Sequence, residues 1–286
     1  LWEPSPIHFN KAIRDVQLKK LGVNTVSVSV EYIFDKHGNY KIIDPGEKLM
    51  VSNIIKAKKE GFAVLVAPNF GGPSVEEMPI TLEEFLEISK EVAIKWAKIS
   101  EAYGVEFFAP QNEFDVALNH FIDSPEERFN LTSKWHLEIL PELRKIFKGK
   151  IIVKLADPSE DLNLSGYDLI GITVRHDEVP LGEFRGYIRN KYADLVSSAN
   201  VSSADWLVSE AWFPYGGPFY PTTSNRDGES LDELQDDYFQ ISIEELKKFE
   251  ENKPKGFIFL AWTMPGMDIR NRPAEQVLHD FFTSIN

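Results

Sequence analysis

A regular alternation of short apolar runs with longer amphipathic segments constrains the fold of this chain more than any other feature. Seven runs rich in Val, Ile and Phe have the character of β-strands, and segments with helical periodicity separate them. Continuous apolar runs between helices are typical of parallel strands that are buried on both faces. The predicted strands lie at residues 23–30, 62–67, 105–109, 150–156, 168–174, 206–209 and 257–262.

Capping signals mark the ends of the intervening helices. Thr81 and Glu84 form a capping-box pattern at the start of a long helix, and Ser124 followed by Pro125 is typical of another helix start. Gly61 follows a helical segment at the position where a left-handed residue is favoured. The predicted helices lie at residues 10–21, 47–60, 81–103, 125–147, 184–199, 231–251 and 274–285.

The order of these elements predicts an α/β fold, a (β/α)8 or TIM barrel, in one catalytic domain that spans residues 1–286. The seven predicted strand–helix units, together with one further unit at the N-terminal end whose strand is not evident, make the eight units of such a barrel. About 250 residues is a usual length for this fold. The first strand is expected upstream of Leu1 or within residues 1–9. An open doubly wound sheet and a barrel with an unusual first strand are the alternatives. No G-x-G-x-x-G or P-loop pattern follows a predicted strand, which disfavours a nucleotide-binding sheet.

The composition argues against several classes of partner. A formal net charge of −14 disfavours nucleic acid, because clustered Lys and Arg are needed to bind a phosphate backbone. No stretch approaches about 18 consecutive apolar residues, so no membrane partner is expected. The chain has no cysteine, which removes disulfides and thiolate metal sites from consideration.

Localisation and origin are constrained more weakly. The chain starts at Leu1 with no signal-peptide pattern after it, which indicates that an upstream segment was removed. We expect an extracellular protein rather than a cytoplasmic one, and a monomer. A chain rich in Lys and Glu but without cysteine is typical of thermophiles.

Polar and aromatic residues follow the predicted strands, at the ends where (β/α)8 barrels place their active sites. Because these ends meet at one face of the barrel, the side chains are expected to lie together. Two glutamates are prominent: Glu113 comes shortly after the strand at 105–109, and Glu210 directly follows the strand at 206–209. The other residues of this rim are Glu31, Tyr32, Asn69, Asn112, Asp157, Arg175, His176, Trp212 and Trp262.

Two carboxylates on strands three apart suit the hydrolysis of a glycosidic bond. In a retaining enzyme one carboxylate attacks the anomeric carbon and the other serves as acid and then base, with about 5–5.5 Å between the two carboxyl groups. An inverting enzyme needs about 6.5–9.5 Å, which leaves room for a water molecule. The two carboxyls must differ in pKa, so the acid needs drier or more anionic surroundings than the nucleophile.

Three short motifs resemble those of clan A glycoside hydrolases. The run Phe-Ala-Pro-Gln-Asn-Glu at 108–113 is similar to the Asn-Glu motif that ends the fourth strand in that clan. The run Val-Ser-Glu-Ala-Trp at 208–212 resembles the seventh-strand nucleophile motif, and Phe-Leu-Ala-Trp at 259–262 resembles the eighth-strand motif. The resemblance covers most of the chain as architecture. It implies a retaining mechanism with Glu113 as acid/base and Glu210 as nucleophile.

The resemblance also implies a set of sugar-binding residues. Asn112 would hydrogen-bond the sugar 2-hydroxyl, an interaction that strengthens in the transition state, and Trp262 would be the platform under the sugar ring. His176 stands about where the clan has a residue beside the nucleophile, and Asn69 stands where some relatives have His.

The chain departs from the clan pattern at the end of the second strand. Many clan members carry an Arg there that supports the nucleophile, whereas this chain has Ser29 and Glu31, so Arg175 from another strand is a candidate substitute. Tyr32 is a further candidate for substrate binding. The aromatic loop at 212–221, which includes Trp212 and Tyr215, is interpreted as the wall of a carbohydrate cleft.

The favoured function is a retaining endo-β-glycosidase that acts on a β-1,4-glucan, mannan or galactan type of polysaccharide without a metal or other cofactor. A divalent-metal-dependent sugar isomerase or epimerase is the first alternative, because Glu113, Asp157, His176 and Glu210 together would suit Mn²⁺ or Mg²⁺. A barrel that binds carbohydrate without cleaving it is the second alternative.

Overall fold

Eight strands form one curled sheet in the structure, which is a computed structural model. It describes residues 1–3, 5–35, 37–42, 46–70, 79–159, 162–175, 181–213 and 231–285. The strands are β1 (Thr25–Phe34), β2 (Tyr40–Ile42), β3 (Ala63–Phe70), β4 (Phe107–Phe108), β5 (Lys150–Leu155), β6 (Leu169–Arg175), β7 (Asp205–Trp212) and β8 (Phe257–Leu260). Their order in the sheet is β2-β1-β3-β4-β5-β6-β7-β8. All neighbours from β1 through β3 to β8 are parallel, and β2 pairs antiparallel with β1 as a hairpin that the sequence analysis did not predict.

Trp2 closes the sheet into a barrel. It forms parallel bridges to Ser27 on β1 and to Leu260 on β8. The N–H of Trp2 donates to the carbonyl of Phe259 over 2.9 Å, and the N–H of Ser27 donates to the carbonyl of Leu1 over 2.7 Å. The short segment around Trp2 therefore takes the place of the first barrel strand. The prediction of a (β/α)8 barrel is confirmed.

Helices follow most of the barrel strands, although none lies between β5 and β6 in the described residues. They are α1 (Pro6–Ala12), α2 (Val16–Lys20), α3 (Glu47–Lys59), α4 (Leu82–Ala102), α5 (Phe114–Ala117), α6 (Pro125–Ile146), α7 (Leu181–Ser202), α8 (Leu231–Leu246) and α9 (Pro273–Ile285). The predicted capping box at α4 is present, with the side chain of Thr81 accepting from the N–H of Glu84 and the carboxylate of Glu84 accepting from the N–H of Thr81. None of the described helices has the length and apolar character needed to cross a membrane.

The segment predicted as one helix at residues 10–21 forms two short helices instead. Asp15 has an extended backbone, with ψ 119°, and its side chain accepts a hydrogen bond from the N–H of Gln17. Asp is a favoured N-cap residue, because its carboxylate satisfies an N–H that has no partner within the helix. Asp15 therefore starts α2, and the chain turns between the two helices.

Side chains of the barrel strands alternate between two layers. On β1, Val26, Val28 and Val30 pack in the large outer cluster, together with residues from the surrounding helices. Alternation then places Ser27, Ser29 and Glu31 on the inner face. A smaller cluster fills the barrel interior; it contains Trp2, Leu65, Ala67, Ala109, Ile152, Leu169, Leu207, Trp212, Ile258, Leu260, Ala261 and Met267.

Candidate active site

A strained turn between β4 and α5 places Glu113. Its backbone angles, φ 48° and ψ 52°, lie in the left-handed region, which costs a residue with a β-carbon roughly 1–2 kcal/mol. The N–H of Glu113 donates to the carbonyl of Lys154 on β5 over 3.1 Å, and the N–H of Asn112 donates to the carbonyl of Pro68 on β3 over 2.7 Å. These two bonds fasten the turn to the neighbouring strands on both sides, so the position of the Glu113 side chain is fixed by the barrel wall.

Asp115 fastens the residues after Glu113 to the end of β5. Its carboxylate accepts from the N–H of Ala156, at 3.1 and 3.2 Å, and from the N–H of Asp157, at 2.8 Å. Burial raises the pKa of Asp115 to about 7, although these two donors act in the opposite direction. Asp115 is thus part of the frame that holds Glu113 rather than a group that faces a substrate.

A β-bulge in β7 turns Glu210 toward the barrel interior. Ile172 pairs with Val208 and Thr173 pairs with Glu210, so Ser209 is an extra residue opposite β6. Without this extra residue, alternation would place Glu210 on the same side as Val208, which packs in the outer cluster. β-Bulges commonly re-aim a side chain next to an active site, and this one directs Glu210 into the mouth of the barrel.

Gly171 on β6 makes room for the bulge. A β-carbon at this position would lie 2.6 Å from the β-carbon of Ser209 and 2.9 Å from its hydroxyl oxygen. Real β-carbons do not approach backbone-anchored atoms this closely, so a larger residue at 171 would displace the extra residue of β7. The glycine at 171 and the inward direction of Glu210 are therefore linked.

Thr173 joins the two glutamates. It is the cross-strand partner of Glu210, and its hydroxyl donates a hydrogen bond to Oε1 of Glu113. The charge of Glu113 also raises the pKa of Glu210, so the two carboxyls interact electrostatically. The structure thus brings both predicted catalytic residues to the same part of the barrel mouth.

Glu31 adds a third carboxylate to this group. Its Oε1 accepts from the hydroxyl of Ser29, and its Oε2 accepts from the side-chain amide of Asn69 over 2.8 Å. Burial raises the pKa of Glu31, the two hydrogen bonds and the charge of Lys154 lower it, and the charge of Glu113 raises it. Asn69, near the end of β3, is therefore held beside Glu31 by this hydrogen bond.

Lys154 supplies the positive charge of the site. It extends from β5 into the barrel with its side chain only 2% exposed, and its Nζ lies 3.6 Å from Oε2 of Glu210. The same Nζ lies 5.2 Å from the centroid of the Trp2 ring, within the range of a cation–π interaction. In the described part of the chain, no other Lys or Arg nitrogen lies within 4 Å of the three clustered carboxylates.

Burial and like charges raise the pKa of Glu210 to about 8. Burial is the largest cause, and the charges of Glu113 and Glu31 add to it, whereas Lys154 acts in the opposite direction. Lys154 is thus the charged group of the site that favours the ionised form of Glu210.

The structure corrects the prediction for Tyr32. Because side chains alternate along β1, Glu31 faces the barrel mouth and Tyr32 faces the helices, where it is 2% exposed. The Tyr32 hydroxyl accepts a hydrogen bond from Nε1 of Trp96 on α4 over 2.8 Å, and burial raises its pKa to about 12. Tyr32 is a packing residue of the outer layer.

The structure also corrects the prediction for Trp262. The side chain is fully buried and belongs to the outer cluster, so it presents no surface on which a sugar ring could stack. Its indole Nε1 donates to Oδ2 of Asp15 over 3.0 Å, and its backbone N–H donates to the carboxylate of Glu3 over 2.9 Å. Trp262 therefore links β8 to the start of α2 and to the segment that closes the barrel.

Asn112, Trp212 and Arg175 lie on the inner side of the barrel. Asn112 is 3% exposed, and its Oδ1 has no hydrogen-bond partner among the described residues. The ring of Trp212 packs in the interior cluster, and the guanidinium carbon of Arg175 lies 5.8 Å from its centroid. Asn112 directly precedes Glu113 in the chain, and Trp212 and Arg175 are paired residues at the ends of β7 and β6. His176 and Tyr215, and with Tyr215 most of the aromatic loop, fall outside the described residues.

Asp157 does not join the two glutamates. Its side chain is 66% exposed, and its Oδ1 lies 3.2 Å from Nζ of Lys191 on α7. In the described ranges, no group of three or more His, Asp or Glu side chains is arranged to hold a metal ion. The set that the isomerase alternative requires is therefore not assembled around Asp157.

Sequence reasoning missed Lys154, Thr173 and the bulge at Ser209. The signal for Lys154 was present, since it is the one charged residue in the run Ile-Ile-Val-Lys-Leu at 151–155. A charge in the middle of a buried parallel strand needs a partner, because an unpaired buried ion is costly. No comparable signal marked Thr173 or the bulge at Ser209.

The comparisons with known proteins rest on structure rather than sequence. No protein-family model matches the chain, and no curated protein does. A GH113 β-1,4-mannanase structure matches with a TM-score of 0.72 and 17% identity, covering 99% of this chain and 98% of that one. The GH113 β-mannanase AaManA from Alicyclobacillus acidocaldarius, in complex with ManMIm, matches with a TM-score of 0.71 and 15% identity over 100% and 97% of the two chains.

A third match is weaker. The GH53 catalytic domain of Ignisphaera aggregans has a TM-score of 0.54 and 17% identity, covering 93% of this chain and 88% of that one. At such identities the similarity concerns the fold. The chain has the (β/α)8-barrel fold that these glycoside hydrolases have, and its buried carboxylates lie at the end of the barrel where such folds carry their active sites.

Proposed function

We propose that the protein is a retaining β-glycosidase that hydrolyses a β-linked polysaccharide. The observation that carries the proposal is the meeting of Glu113 and Glu210 at the mouth of the barrel, joined through Thr173. The fold shared with β-mannanases is a second support for the proposal. The fold alone does not decide the function, because function in such barrels depends on the residues of the site. Residues 1–286 would form one catalytic domain.

The reaction proceeds by double displacement. Glu113 donates a proton to the glycosidic oxygen while the carboxylate of Glu210 attacks the anomeric carbon, and the leaving sugar departs with that proton. Glu113, now ionised, takes a proton from a water molecule, whose oxygen attacks the anomeric carbon and releases Glu210. Two inversions at the same carbon give net retention of configuration.

The first step requires an ionised Glu210. Burial and the charges of Glu113 and Glu31 oppose its ionisation, and Lys154, whose Nζ lies 3.6 Å from Oε2 of Glu210, favours it. Asn112, next to Glu113, offers an amide for a sugar hydroxyl, and Asn69, held by Glu31, offers a second one. Trp212, like Trp2, packs in the interior cluster, and it lies two residues after Glu210 at the end of β7, so we assign to it the stacking role that sequence reasoning gave to Trp262.

The substrate class is tested with a panel of β-1,4-mannan, β-1,4-glucan and β-1,4-galactan, of which mannan comes first because two matched structures are β-mannanases. Products are analysed by mass, and their anomeric configuration is recorded by proton NMR in the first minutes. We expect oligosaccharide products with the β configuration. The Glu210→Gln protein is the matched control and should release none.

Three outcomes would contradict the proposal. Initial products with the α configuration would indicate an inverting enzyme. Sugar isomerisation that disappears with a chelator and returns with Mn²⁺ or Mg²⁺ would favour the metal-dependent alternative. Glycan binding with no release of reducing ends from any substrate would favour a barrel that binds carbohydrate without cleaving it.

A further inference from the structure

The most informative group outside the two glutamates is Lys154. Lysine is almost never fully buried without a partner, because removing its charge from water is costly. Here the side chain is 2% exposed, and the charged group within 4 Å in the described part of the chain is the carboxylate of Glu210. The 3.6 Å separation is that of an ion pair and slightly exceeds a hydrogen bond.

The backbone of the same residue contacts the other glutamate. The carbonyl of Lys154 accepts the N–H of Glu113 over 3.1 Å, and residues 112 and 154 form a parallel bridge. The side chain and the backbone of one residue of β5 therefore reach both members of the carboxyl pair. Trp2 lies against the ammonium group on another side, with 5.2 Å between Nζ and the ring centroid.

Several charged groups act on the ionisation of Glu210, and Lys154 is the cation among them. The groups that face or interact with Glu210 are Glu31 on β1, Glu113 before α5, Lys154 on β5, Thr173 on β6 and Tyr238 on α8. The two carboxylates in this set favour protonation of Glu210, and Lys154 is the member that favours its ionised form. A nucleophile must be ionised, so the chemistry depends on that cation.

We propose that Lys154 is a positioning residue of the reaction, whose ammonium group pairs with Glu210, favours its ionised form and orients it as the nucleophile. This inference rests on the proposed function. It also explains how the chain can lack the Arg that many clan members carry at the end of the second strand, where this chain has Ser29 and Glu31. The cation that supports the nucleophile comes from β5 instead. Arg175, the substitute suggested from sequence, instead lies beside the ring of Trp212.

The test compares Lys154→Met, Lys154→Arg and Lys150→Met with the wild-type protein. Met has nearly the same length as Lys without the charge, and it suits the apolar interior beside Trp2. Lys150 lies four residues earlier on the same strand, at the opposite end of the barrel, and is exposed, so Lys150→Met is a matched control for loss of a β5 lysine. Each protein is assayed over pH on the glycan that the wild-type protein cleaves.

We expect the kcat/KM of Lys154→Met to fall by about 10- to 1,000-fold at pH values below the wild-type optimum. The reason is that an opposite charge as close as Nζ of Lys154 shifts the pKa of a carboxyl group by about 1–3 units. The acidic limb of its pH profile should move to higher pH by at least about one unit. Lys154→Arg should keep the limb near its wild-type position, and Lys150→Met should keep both rate and profile. Retained activity in Lys154→Met, or lost activity with an unmoved acidic limb, would overturn the proposal.

A second measurement separates this inference from the proposed function. The carboxyl carbons of ¹³C-labelled Glu are titrated by NMR in the wild-type and Lys154→Met proteins, and Glu210 is assigned from the Glu210→Gln spectrum. The Glu210 titration should move to higher pH in Lys154→Met even if no glycan in the panel is cleaved. An unchanged Glu210 titration would refute the role of Lys154, whereas a shifted titration in a protein that cleaves no glycan would refute the proposed function alone.

Discussion

Glu210 and Thr173 lie side by side on neighbouring barrel strands, and the hydroxyl of Thr173 reaches across to Glu113. A single threonine thus connects two carboxyls that are 97 residues apart in the chain. The assignment of acid/base to Glu113 and nucleophile to Glu210 can be tested by replacing each in turn, because the two roles leave different chemical traces.

The first prediction concerns the two carboxyls themselves. Glu113→Gln and Glu210→Gln should each lower kcat on the natural glycan by about 10³-fold or more, since each removes a group that acts in the bond-breaking step. Neither change should unfold the protein, because glutamine has the same size and removes a buried charge. Steady-state rates and circular dichroism would check both points.

Azide distinguishes the two roles. With an activated aryl glycoside, Glu113→Ala should still form the glycosyl-enzyme, and azide should attack it to give the β-glycosyl azide. Glu210→Ala lacks the nucleophile, so azide should take its place and give the α-glycosyl azide. The opposite pairing of variants and products would reverse the assignment.

The second prediction follows from the burial of Trp262 and the inward direction of Trp212. Trp262→Phe removes the hydrogen bond to Asp15 and should lower the free energy of unfolding by about 2 kcal/mol, because a hydrogen bond to a charged group is lost. Its KM should stay near the wild-type value. Trp212→Phe should raise KM with a smaller effect on stability. An increase in KM confined to Trp262→Phe would return the stacking role to that residue.

The third prediction concerns the link between Gly171 and the bulge in β7. Gly171→Ala places a methyl group within 2.6 Å of the β-carbon of Ser209, so the extra residue and Glu210 must shift. Since a misplacement of about 1 Å can cost about 100-fold in rate, we expect a loss of that order in kcat. Gly256→Ala is the matched control, because its new β-carbon would meet only side-chain atoms of Leu207 at 3.9 Å. Equal effects of the two substitutions would argue against a special role for Gly171.

Much of the barrel could be predicted from the chain, because parallel strands that are buried on both faces leave continuous apolar runs. The helices α3, α4, α6 and α9 agree with their predicted bounds to within one residue at each end. The strand before Glu113 was harder to delimit, since only Phe107 and Phe108 pair with both neighbours. The single-residue closure by Trp2 has no periodicity, so the sequence placed the first strand only upstream of Leu1 or within residues 1–9.

The direction of side chains at the strand ends was less predictable than their position in the chain. Tyr32 and Trp262 stand at the predicted ends but face the helices, because alternation along β1 and the path after β8 turn them outward. Glu210 faces inward only because Ser209 is an extra residue, and a bulge depends on pairing with another strand. The sequence pattern of one strand does not show how that strand pairs with its neighbour. It therefore does not determine whether the side chains at these positions face the barrel interior or the helices.

The last prediction concerns the dependence of stability on pH through Glu3. This buried carboxyl accepts hydrogen bonds from the N–H groups of Trp262 and Thr263, at 2.9 and 3.0 Å, and so joins the segment that closes the barrel to the end of β8. Burial raises the pKa of Glu3 from 4.5 to about 7, and the backbone donors only partly offset this. The folded protein therefore binds this proton more tightly than the unfolded chain does.

Because the folded-state pKa is the higher one, the contribution of Glu3 to stability is greatest below about pH 4.5 and is lost as the pH rises to about 7. Between pH 5 and pH 8 the free energy of unfolding of the wild-type protein should fall more than that of Glu3→Gln, by at most about 3 kcal/mol. Urea unfolding at both pH values measures the difference, and Glu250→Gln, at an exposed position, is the control. An identical change in the wild-type and Glu3→Gln proteins would show that Glu3 does not titrate with folding.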